Sequence, residues 1–184
     1  MLTDELNPLL LQALRDRNLE LICMHELHIP KVLKLEQEIQ QYASHERSEY
    51  FKTGLMKNFL EWHENDQARC LIIQSKDKLL LSYAILLLDP KIIKNFYEPS
   101  SQALENCAYL AQIVVDPKYQ KGGIGKLLMN IIETMCAYNK KEHLLLEVHS
   151  LTPAYKFYLN TGYELDFFQA FMSKKLHKAS SRAT

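Results

Sequence analysis

A short glycine-rich segment with two lysines, Gln120–Lys126, is the part of the sequence best suited to binding a phosphate. It lies between an apolar stretch that ends at Val115 and a helical pattern that begins at Ile124. Glycines let the backbone approach a ligand closely, and the N–H groups at the start of a helix attract an anion. Lys121 and Lys126 add two positive charges. We therefore expect an anion-binding loop, while a plain turn between strand and helix would also account for the glycines.

Two common phosphate-binding motifs do not fit this segment. A P-loop has the pattern GxxxxGK[ST], but Gln120 stands where its first glycine is required and Leu127 where its Ser or Thr is required. A dinucleotide-binding fingerprint has the pattern GxGxxG, but Leu128 stands in place of its last glycine. The segment therefore matches neither class of nucleotide-binding loop.

The elements around this loop alternate between strands and helices, which favours a mixed α/β layer fold on one core. The predicted helices cover residues 5–17, 30–39, 49–62, 124–138 and 152–160. The predicted strands cover residues 19–27, 68–74, 79–88, 109–115 and 143–148, with one or two more in 163–171. Residues 89–106 are predicted to form a long loop with room for a helical turn. The run 143–148 lacks alternation, so we expect its strand to be buried on both faces.

The composition is typical of one soluble globular domain. The chain has 184 residues, of which 47% are hydrophobic and 24% are charged, enough for one domain with its own core. Its 22 basic and 22 acidic residues give a formal net charge of zero, whereas a general nucleic-acid binder is usually basic. We therefore expect no nucleic-acid partner.

The cysteines and the apolar stretches favour a cytoplasmic enzyme. The four cysteines are widely spaced and form no CxxC pair, which disfavours disulfides and a zinc site and favours reduced thiols, some of them in the core. The first residues do not show the basic start and long apolar run of a secretory signal. The longest apolar stretch, Leu79–Leu88, is too short to span a bilayer. We expect no metal and no membrane association.

Two segments resemble the signature motifs of the GNAT N-acyltransferase superfamily. In that family a strand ends in Val-x-Pro-x-Tyr and is followed by [QR]-x-x-G-x-[GA], and residues 113–128 of this chain read IVVDPKYQKGGIGKLL. The second family motif, A-x-x-[FL]-Y-x-x-x-G-[FY], is matched by Ala154–Tyr163 in the same order along the chain. The N-terminal half, with Leu33–Gln37 on its first helix, more loosely resembles the protein N-terminal acetyltransferases, including those that modify ribosomal proteins.

The resemblance implies an α/β fold with a GNAT-type central mixed sheet flanked by helices, and an extra short helix at the N-terminus. It implies a single acetyltransferase domain over residues 19–176. The helix predicted from the residue pattern makes residues 1–18 a helical extension, and the basic, Ser/Ala-rich end predicts a flexible tail over 177–184. The implied activity is an N-acetyltransferase that moves an acetyl group from acetyl-CoA to a primary amine by direct attack in a ternary complex. A non-catalytic acyl-CoA sensor or interaction module is the alternative.

The resemblance also implies where the cofactor binds. The pantetheine arm would pair like an added strand with the backbone of Ile113–Val115, the pyrophosphate would lie on the amides of Lys121–Lys126, and Gln120 would help to hold the loop. The implied cofactor-binding residues are Ile113, Val114, Val115, Gln120, Lys121, Gly122, Gly123, Ile124, Gly125 and Lys126.

Two residues are candidates for proton transfer during acetylation. Tyr158 occupies the family's position for the acid that protonates the leaving thiolate, and its ordinary pKa of about 10 keeps it protonated at pH 7; a packing role is the alternative. Glu147 follows an apolar strand, where a carboxylate should be paired or have a raised pKa that suits a base; a salt bridge at the strand end is equally compatible. His149 lies two residues further on and could share the work.

The acceptor is expected to be an amine-bearing small molecule, peptide or protein, and the enzyme a monomer or a homodimer. The polar segment Gln41–Tyr50 lies where the family's first two helices meet the acceptor, so it could select a cationic amine or form a solvated loop. At the start of the last helix, Leu151 stands where many family members have an Asn that contacts the cofactor.

Overall fold

The computed structural model describes residues 2–40, 53–97, 104–148, 150 and 152–165. The chain divides into two compact units, residues 1–147 and 148–184, and each is described by itself. Among the described helices, none is both long and apolar enough to cross a membrane.

Five helices and five strands make up the described part of the first unit. The helices are α1 (Pro8–Asp16), α2 (Ile29–Gln40), α3 (Thr53–Glu64), α4 (Pro90–Ile93) and α5 (Ile124–Tyr138). The strands are β1 (Leu19–Cys23), β2 (Ala68–Ser75), β3 (Leu80–Leu87), β4 (Cys107–Val115) and β5 (His143–Leu146). Short 3₁₀ turns cover Leu2–Glu5, Glu26–His28, Leu104–Asn106 and Pro117–Tyr119.

The five strands form one mixed sheet in the order β1-β2-β3-β4-β5. The first four strands pair antiparallel with their neighbours, and β4 pairs parallel with β5. Antiparallel neighbours can be joined by tight turns, whereas a parallel pair needs a long crossover. The polar turn between β2 and β3 supplies the first kind of connection, and α5 supplies the crossover from β4 to β5. The predicted α/β class with a mixed sheet flanked by helices is confirmed.

Helices cover both faces of the sheet. On one face, α2 and α3 pack against the apolar side chains of the strands, including Cys70 and Ile72 of β2. Successive strand residues point to opposite faces, so Arg69 points to the other face, where α1 and α5 contact the strands. The apolar stripe predicted on α5 is buried throughout. Its members are Ile124, Leu127, Leu128, Ile131, Ile132, Met135 and Cys136.

The N-terminal segment, residues 2–17, is held on the sheet by apolar contacts and by one ion pair. Leu6, Leu10 and Leu14 are buried. The Glu5 carboxylate accepts a hydrogen bond from Arg69 Nε at 2.9 Å and lies 2.8 Å from Arg69 Nη2, and each side chain is only 10% exposed. These contacts fix α1 in one position against the sheet.

Three strands are shorter than predicted, and one of them is less buried. β3 lacks one residue at each end of the predicted range 79–88. β1 ends at Cys23 because the chain turns into the 3₁₀ turn Glu26–His28. β5 ends at Leu146 and its residues are exposed or half-buried, so the prediction of burial on both faces is wrong. The physical reason is that β5 is the last strand of the described sheet and has only β4 beside it.

The described part of the second unit is one helix, α6 (Pro153–Asn160). It begins after Thr152 with Pro153 in its first turn, and Gly162 follows its end with a φ of 93°. These are the residues that favour helix starts and ends, and the structure confirms the helix predicted there. Residues 163–165 form no strand, and the rest of the strands predicted in 163–171 lies outside the described residues.

Candidate active site

β4 separates from β5 halfway along its length. β5 pairs only with residues 107–110. Directly afterwards, Ala111 is an extra residue that breaks the register between β3 and β4, and such a β-bulge bends its strand. Residues 111–115 continue beside β3, and in the described part of the chain no strand lies along their other edge. We call this the open edge of β4.

The backbone groups of Ile113 and Val115 point toward the open edge. The Asp116 N–H donates to the Leu81 carbonyl at 2.8 Å, so Asp116 directs its backbone groups to β3. Opposed residues in an antiparallel pair alternate between bonded and non-bonded positions. Val114 therefore also directs its backbone groups to β3, while Ile113 and Val115 direct theirs away from it. Of the three predicted cofactor-binding residues of this strand, Val114 therefore differs from Ile113 and Val115, because its backbone groups are not directed to the open edge.

Gln120 connects the glycine-rich loop to the open edge. Its Nε2 donates to the Val115 carbonyl at 3.2 Å, and that carbonyl is one of the groups that face away from β3. The hydrogen bond occupies one acceptor of the edge. The N–H of Val115 and the backbone groups of Ile113 remain directed to the open edge.

The turn that leads from β4 into the loop is built by Asp116 and Pro117. Pro117 fits the first position of the 3₁₀ turn, where a backbone N–H is not needed. Asp116 Oδ1 accepts a hydrogen bond from the Lys118 N–H at 2.9 Å, as an N-cap side chain does. The Asp-Pro pair therefore ends the strand and sets the direction in which the loop leaves it.

Two residues with a left-handed backbone shape the loop. Lys121 has a φ of 63° and Gly123 a φ of 81°. A Cβ disfavours this conformation, so Lys121 carries strain that a glycine avoids. Backbone N–H groups next to left-handed residues can form concave anion-binding sites, so this backbone is compatible with the anion-binding role, which stays a prediction.

The start of α5 adds further N–H groups to the loop. Gly123 is the N-cap and, as a glycine, has no side chain that could cap the helix. The Leu127 N–H donates to the Gly123 carbonyl at 3.0 Å. The N–H groups of Ile124–Lys126 come before that bond and have no carbonyl of the preceding turn to bind. Because the Ile124 side chain is buried, this residue offers only its N–H. The lysines at 121 and 126 are exposed on either side.

The sequence did not predict that Arg17 lies against the loop. Arg17 follows the last residue of α1, and its Nη1 donates to the Gly122 carbonyl at 3.0 Å. A Cβ placed on Gly123 would lie 3.2 Å from Arg17 Nη1 and 3.4 Å from Nη2. The guanidinium group is therefore in close contact with the backbone that would hold an anion. The two contacting residues are 105 positions apart in sequence, so no local sequence pattern predicts their contact.

A family comparison decides what kind of protein carries this strand and loop. The model of the acetyltransferase (GNAT) family matches residues 35–163, which is more than half of the chain.

The chain belongs to the GNAT acetyltransferase family.

Solved structures of several acetyltransferases share the fold. A GNAT-family acetyltransferase from Staphylococcus aureus is 17% identical over 78% of this chain and 83% of its own, with a TM-score of 0.61. An aminoglycoside 6′-N-acetyltransferase from Acinetobacter haemolyticus is 14% identical over 86% of this chain and 99% of its own, with a TM-score of 0.60. An aminoglycoside N-acetyltransferase in complex with CoA is 14% identical over 85% of this chain and 100% of its own, with a TM-score of 0.59. No curated protein sequence matches the chain.

The two residues predicted to transfer protons in this GNAT chain have different surroundings. Glu147 follows β5 directly and is exposed, because the strand that precedes it is at the end of the described sheet. The buried setting that the sequence suggested for this carboxylate is therefore wrong. Tyr158 is buried on α6, and its ring lies 5.4 Å from the rings of both Phe157 and Tyr163.

A buried carboxylate that the sequence did not single out lies next to the bulge. Glu36 on α2 accepts hydrogen bonds from the Tyr83 hydroxyl and, at 2.7 Å, from Gln112 Nε2. All three side chains are buried. Gln112 comes directly after the bulged Ala111, so the network ties the bent part of β4 to α2. Buried polar groups of this kind are costly where they lack a partner, and Gln112 Oε1 is buried without a hydrogen-bond partner in the described part of the chain. The network therefore links β4 to α2 just after the bulge, but it is only partly satisfied.

Several residues that the sequence pointed to lie outside the described residues. They are Gln41–Tyr50, residues 98–103 of the predicted long loop, His149 and Leu151. The remainder of the long loop contains α4, which begins at Pro90 after the N-cap Asp89, so the helical turn anticipated there is present.

Proposed function

We propose that this chain is an acetyl-CoA-dependent N-acetyltransferase that acts on a primary amine. The observation that carries the proposal is the open edge of β4 together with the loop that follows it. The edge offers backbone groups of Ile113 and Val115, and the loop offers the N–H groups of Ile124–Lys126 beside two lysines. An elongated ligand with an amide-bearing arm and a phosphate end matches both parts.

Acetyl-CoA has this form. Its pantetheine arm contains amide groups that can pair with the open edge as a strand would, and its pyrophosphate is an anion suited to the start of α5. Gln120 holds the loop against the edge through the Val115 carbonyl, so the two parts of the site keep a fixed spacing. Fixed spacing lowers the entropy cost of binding. The solved neighbour with bound CoA supports the same choice of cofactor.

The transfer itself requires one proton to leave the amine and one to reach the sulfur. The neutral amine attacks the thioester carbonyl, a C–N bond forms, and the tetrahedral intermediate collapses by breaking the C–S bond. We assign to Glu147, acting through water, the removal of the proton from the nitrogen. We assign to Tyr158 the donation of a proton to the leaving thiolate, which becomes free CoA. The exposure of Glu147 suits exchange with a solvent molecule.

The acceptor belongs to one of three classes: a small amine, a lysine side chain or a protein N-terminus. Two of the solved neighbours are named as aminoglycoside acetyltransferases, so aminoglycosides belong in the first class to be tested. The test is a screen for amine-dependent release of CoA across the three classes, with the acetylated product identified by mass spectrometry. Release that depends on an amine supports the proposal. Binding of acetyl-CoA without turnover on any amine would identify an acyl-CoA sensor instead.

The Tyr158 assignment is tested by replacement with phenylalanine. Tyr158→Phe is expected to lower kcat by about 100-fold or more, the usual contribution of a general acid. Tyr155→Phe, a half-buried tyrosine on the same helix, is the matched control and should retain activity. Equal activities of the two variants would remove the acid role.

The Glu147 assignment is tested by the pH dependence of kcat/KM. Glu147→Gln is expected to lower the rate and to abolish the part of the acidic limb that the carboxylate causes. Glu142→Gln, an exposed glutamate just before β5, is the control. The same profiles help to identify the acceptor, because an α-amino group (pKa about 8) loses its proton more easily than a lysine (about 10.4). An unchanged profile for Glu147→Gln would assign the base elsewhere.

A further inference from the structure

Arg17 brings a positive charge to the phosphate loop from outside the part of the chain that the family model matches. That match begins at residue 35, whereas Arg17 belongs to the N-terminal segment. Its guanidinium contacts the Gly122 carbonyl and lies beside Gly123. The contact is therefore a feature of this chain's own N-terminal segment.

We propose that Arg17 binds a phosphate group of the CoA cofactor together with the N–H groups of the loop. The inference rests on the proposed function, because it needs a phosphate-bearing cofactor at this loop. It assigns to α1 a part in cofactor binding, and it makes Arg17 a binding residue in addition to the loop residues predicted from the sequence.

The chemistry of the side chain fits this role. A guanidinium has five N–H donors in a planar fork that matches the oxygens of a phosphate. The Gly122 carbonyl takes one of these donors. Among the described residues no carboxylate forms an ion pair with Arg17, and the neighbouring Asp16 instead accepts a hydrogen bond from Gln12 at 2.6 Å. The charge of Arg17 is therefore available to an anion that reaches the loop.

The position of Arg17 is fixed before any ligand binds. α1 is held by its buried leucines and by the pair between Glu5 and Arg69, and the hydrogen bond to Gly122 orients the guanidinium. The side chain is exposed, so a ligand can approach it from solvent. A charged group that is already oriented loses less freedom on binding, and its hydrogen bonds to an anion are stronger than neutral ones.

Calorimetry with three thiols tests the proposal: CoA, 3′-dephospho-CoA and pantetheine, which lacks all the phosphates. Arg17→Met in the full chain is expected to raise the Kd for CoA by about tenfold, the usual effect of losing one charge-assisted hydrogen bond. It should leave pantetheine binding unchanged, measured by competition if that binding is weak. An equal loss for CoA and 3′-dephospho-CoA would assign Arg17 to the pyrophosphate, and a loss for CoA alone would assign it to the 3′-phosphate.

Two further variants separate phosphate binding from a merely structural contact. Arg15→Met removes an exposed arginine in the last turn of α1, two residues before Arg17, and should bind CoA like the wild type. Arg17→Lys keeps the charge and should retain part of the affinity and of its dependence on salt. If Arg17→Met weakens pantetheine as much as CoA, the residue only supports the loop and the proposal is wrong. The proposal is also wrong if Arg17→Met and Arg15→Met bind CoA equally.

The wild-type measurement keeps this test distinct from that of the proposed function. Wild-type protein that fails to bind CoA would overturn both the cofactor and the role of Arg17. Wild-type protein that binds CoA, with an Arg17→Met variant that binds it equally well, would overturn only the role of Arg17. Thermal unfolding of each variant establishes that the folded state is retained.

Discussion

Glu5→Gln is expected to destabilise the protein markedly, because it removes the partner of a buried arginine while keeping the size of the side chain. Glu5 and Arg69 contact each other at 2.8 Å, and both are 10% exposed. The pair joins the N-terminal segment to β2 of the central sheet. Its loss leaves a charge on Arg69 in a place where water cannot solvate it well.

The magnitude follows from what Arg69 retains. Removing one partner of a fully buried ion pair costs about 3–5 kcal/mol. In this protein Arg69 Nη1 still donates to the Ala68 carbonyl at 3.0 Å and lies 3.2 Å from Asp66 Oδ1, and these contacts compensate part of the charge. We therefore expect Glu5→Gln to lower the free energy of unfolding by about 2–3 kcal/mol. Arg69→Met combined with Glu5→Gln should cost less than Glu5→Gln alone, because no buried charge then remains.

Urea titrations followed by circular dichroism measure these differences if the transition is two-state. Glu20→Gln is the matched control, because it breaks an ion pair with Lys78 of similar length, 2.6 Å, between side chains that are 36% and 62% exposed. That change should lie near the error of the measurement, as exposed pairs contribute little. If Glu5→Gln and Glu20→Gln have the same small effect, burial does not increase the contribution of the Glu5–Arg69 pair to the free energy of unfolding. Apolar contacts alone would then hold the N-terminal segment.

Gly123→Ala is expected to lower the free energy of unfolding by about 1–2 kcal/mol in urea titrations, because a Cβ disfavours its φ of 81°. Gly125→Ala should be neutral or stabilising, since its added Cβ would meet its nearest atom at 3.6 Å. Burial raises the pKa of Cys70 and Cys136 to about 12, so both thiols should react with a disulfide reagent far more slowly in the folded than in the denatured protein. Burial is the main cause that lowers the pKa of His28 below the ordinary histidine value of 6.5, and nearby positive charges lower it further. The stability that neutral His28 contributes is therefore complete above pH 6.5 and is lost as the pH falls below it, a loss that His28→Asn should reduce in urea titrations at several pH values.

Each of these expectations has a clear contrary result. Equal costs for the two glycine variants would mean that backbone conformation does not matter at Gly123. Rapid modification of Cys70 or Cys136 in the folded protein would contradict their burial. Identical slopes of stability against pH for the wild type and His28→Asn would show that His28 titrates alike in the folded and unfolded chains.

Local chemistry made the strand, loop and helix of the candidate site predictable from the sequence. The apolar spacing of α5 gave its bounds, Ile124–Tyr138, without error. The Asp-Pro pair gave the end of β4, and the glycines gave the loop between strand and helix. Each of these signals lies within a few residues of the structure that it specifies, so no knowledge of the rest of the chain was needed.

Sheet position and long-range contacts were not predictable in this way. The apolar run of β5 suggested a buried central strand, but burial depends on which strands lie on either side, and β5 has only β4. The Arg17–Gly122 contact spans 105 residues of sequence, and the Glu5–Arg69 contact spans 64. Such pairs depend on how the helices are placed on the sheet, which hydrophobic periodicity does not specify.

The polar network at the bulge shows a further limit. Glu36 lies among the apolar positions of α2, and the local pattern does not predict which polar groups it contacts. In the structure it is buried and bound to Tyr83 and Gln112, two residues of strands that the pattern marks as apolar. Only the pairing of β3 with β4 brings their polar groups to the same place.

Amide hydrogen–deuterium exchange of the full chain, with and without acetyl-CoA, tests the central claim most directly. The open edge of β4 and the loop are proposed to bind the cofactor through backbone groups, so acetyl-CoA should slow exchange over residues 111–126. The N–H groups of Val115 and of Ile124–Lys126 should be among those protected. Unchanged exchange over 111–126 at a concentration of acetyl-CoA that saturates the protein, or an absence of binding, would contradict the proposed cofactor site.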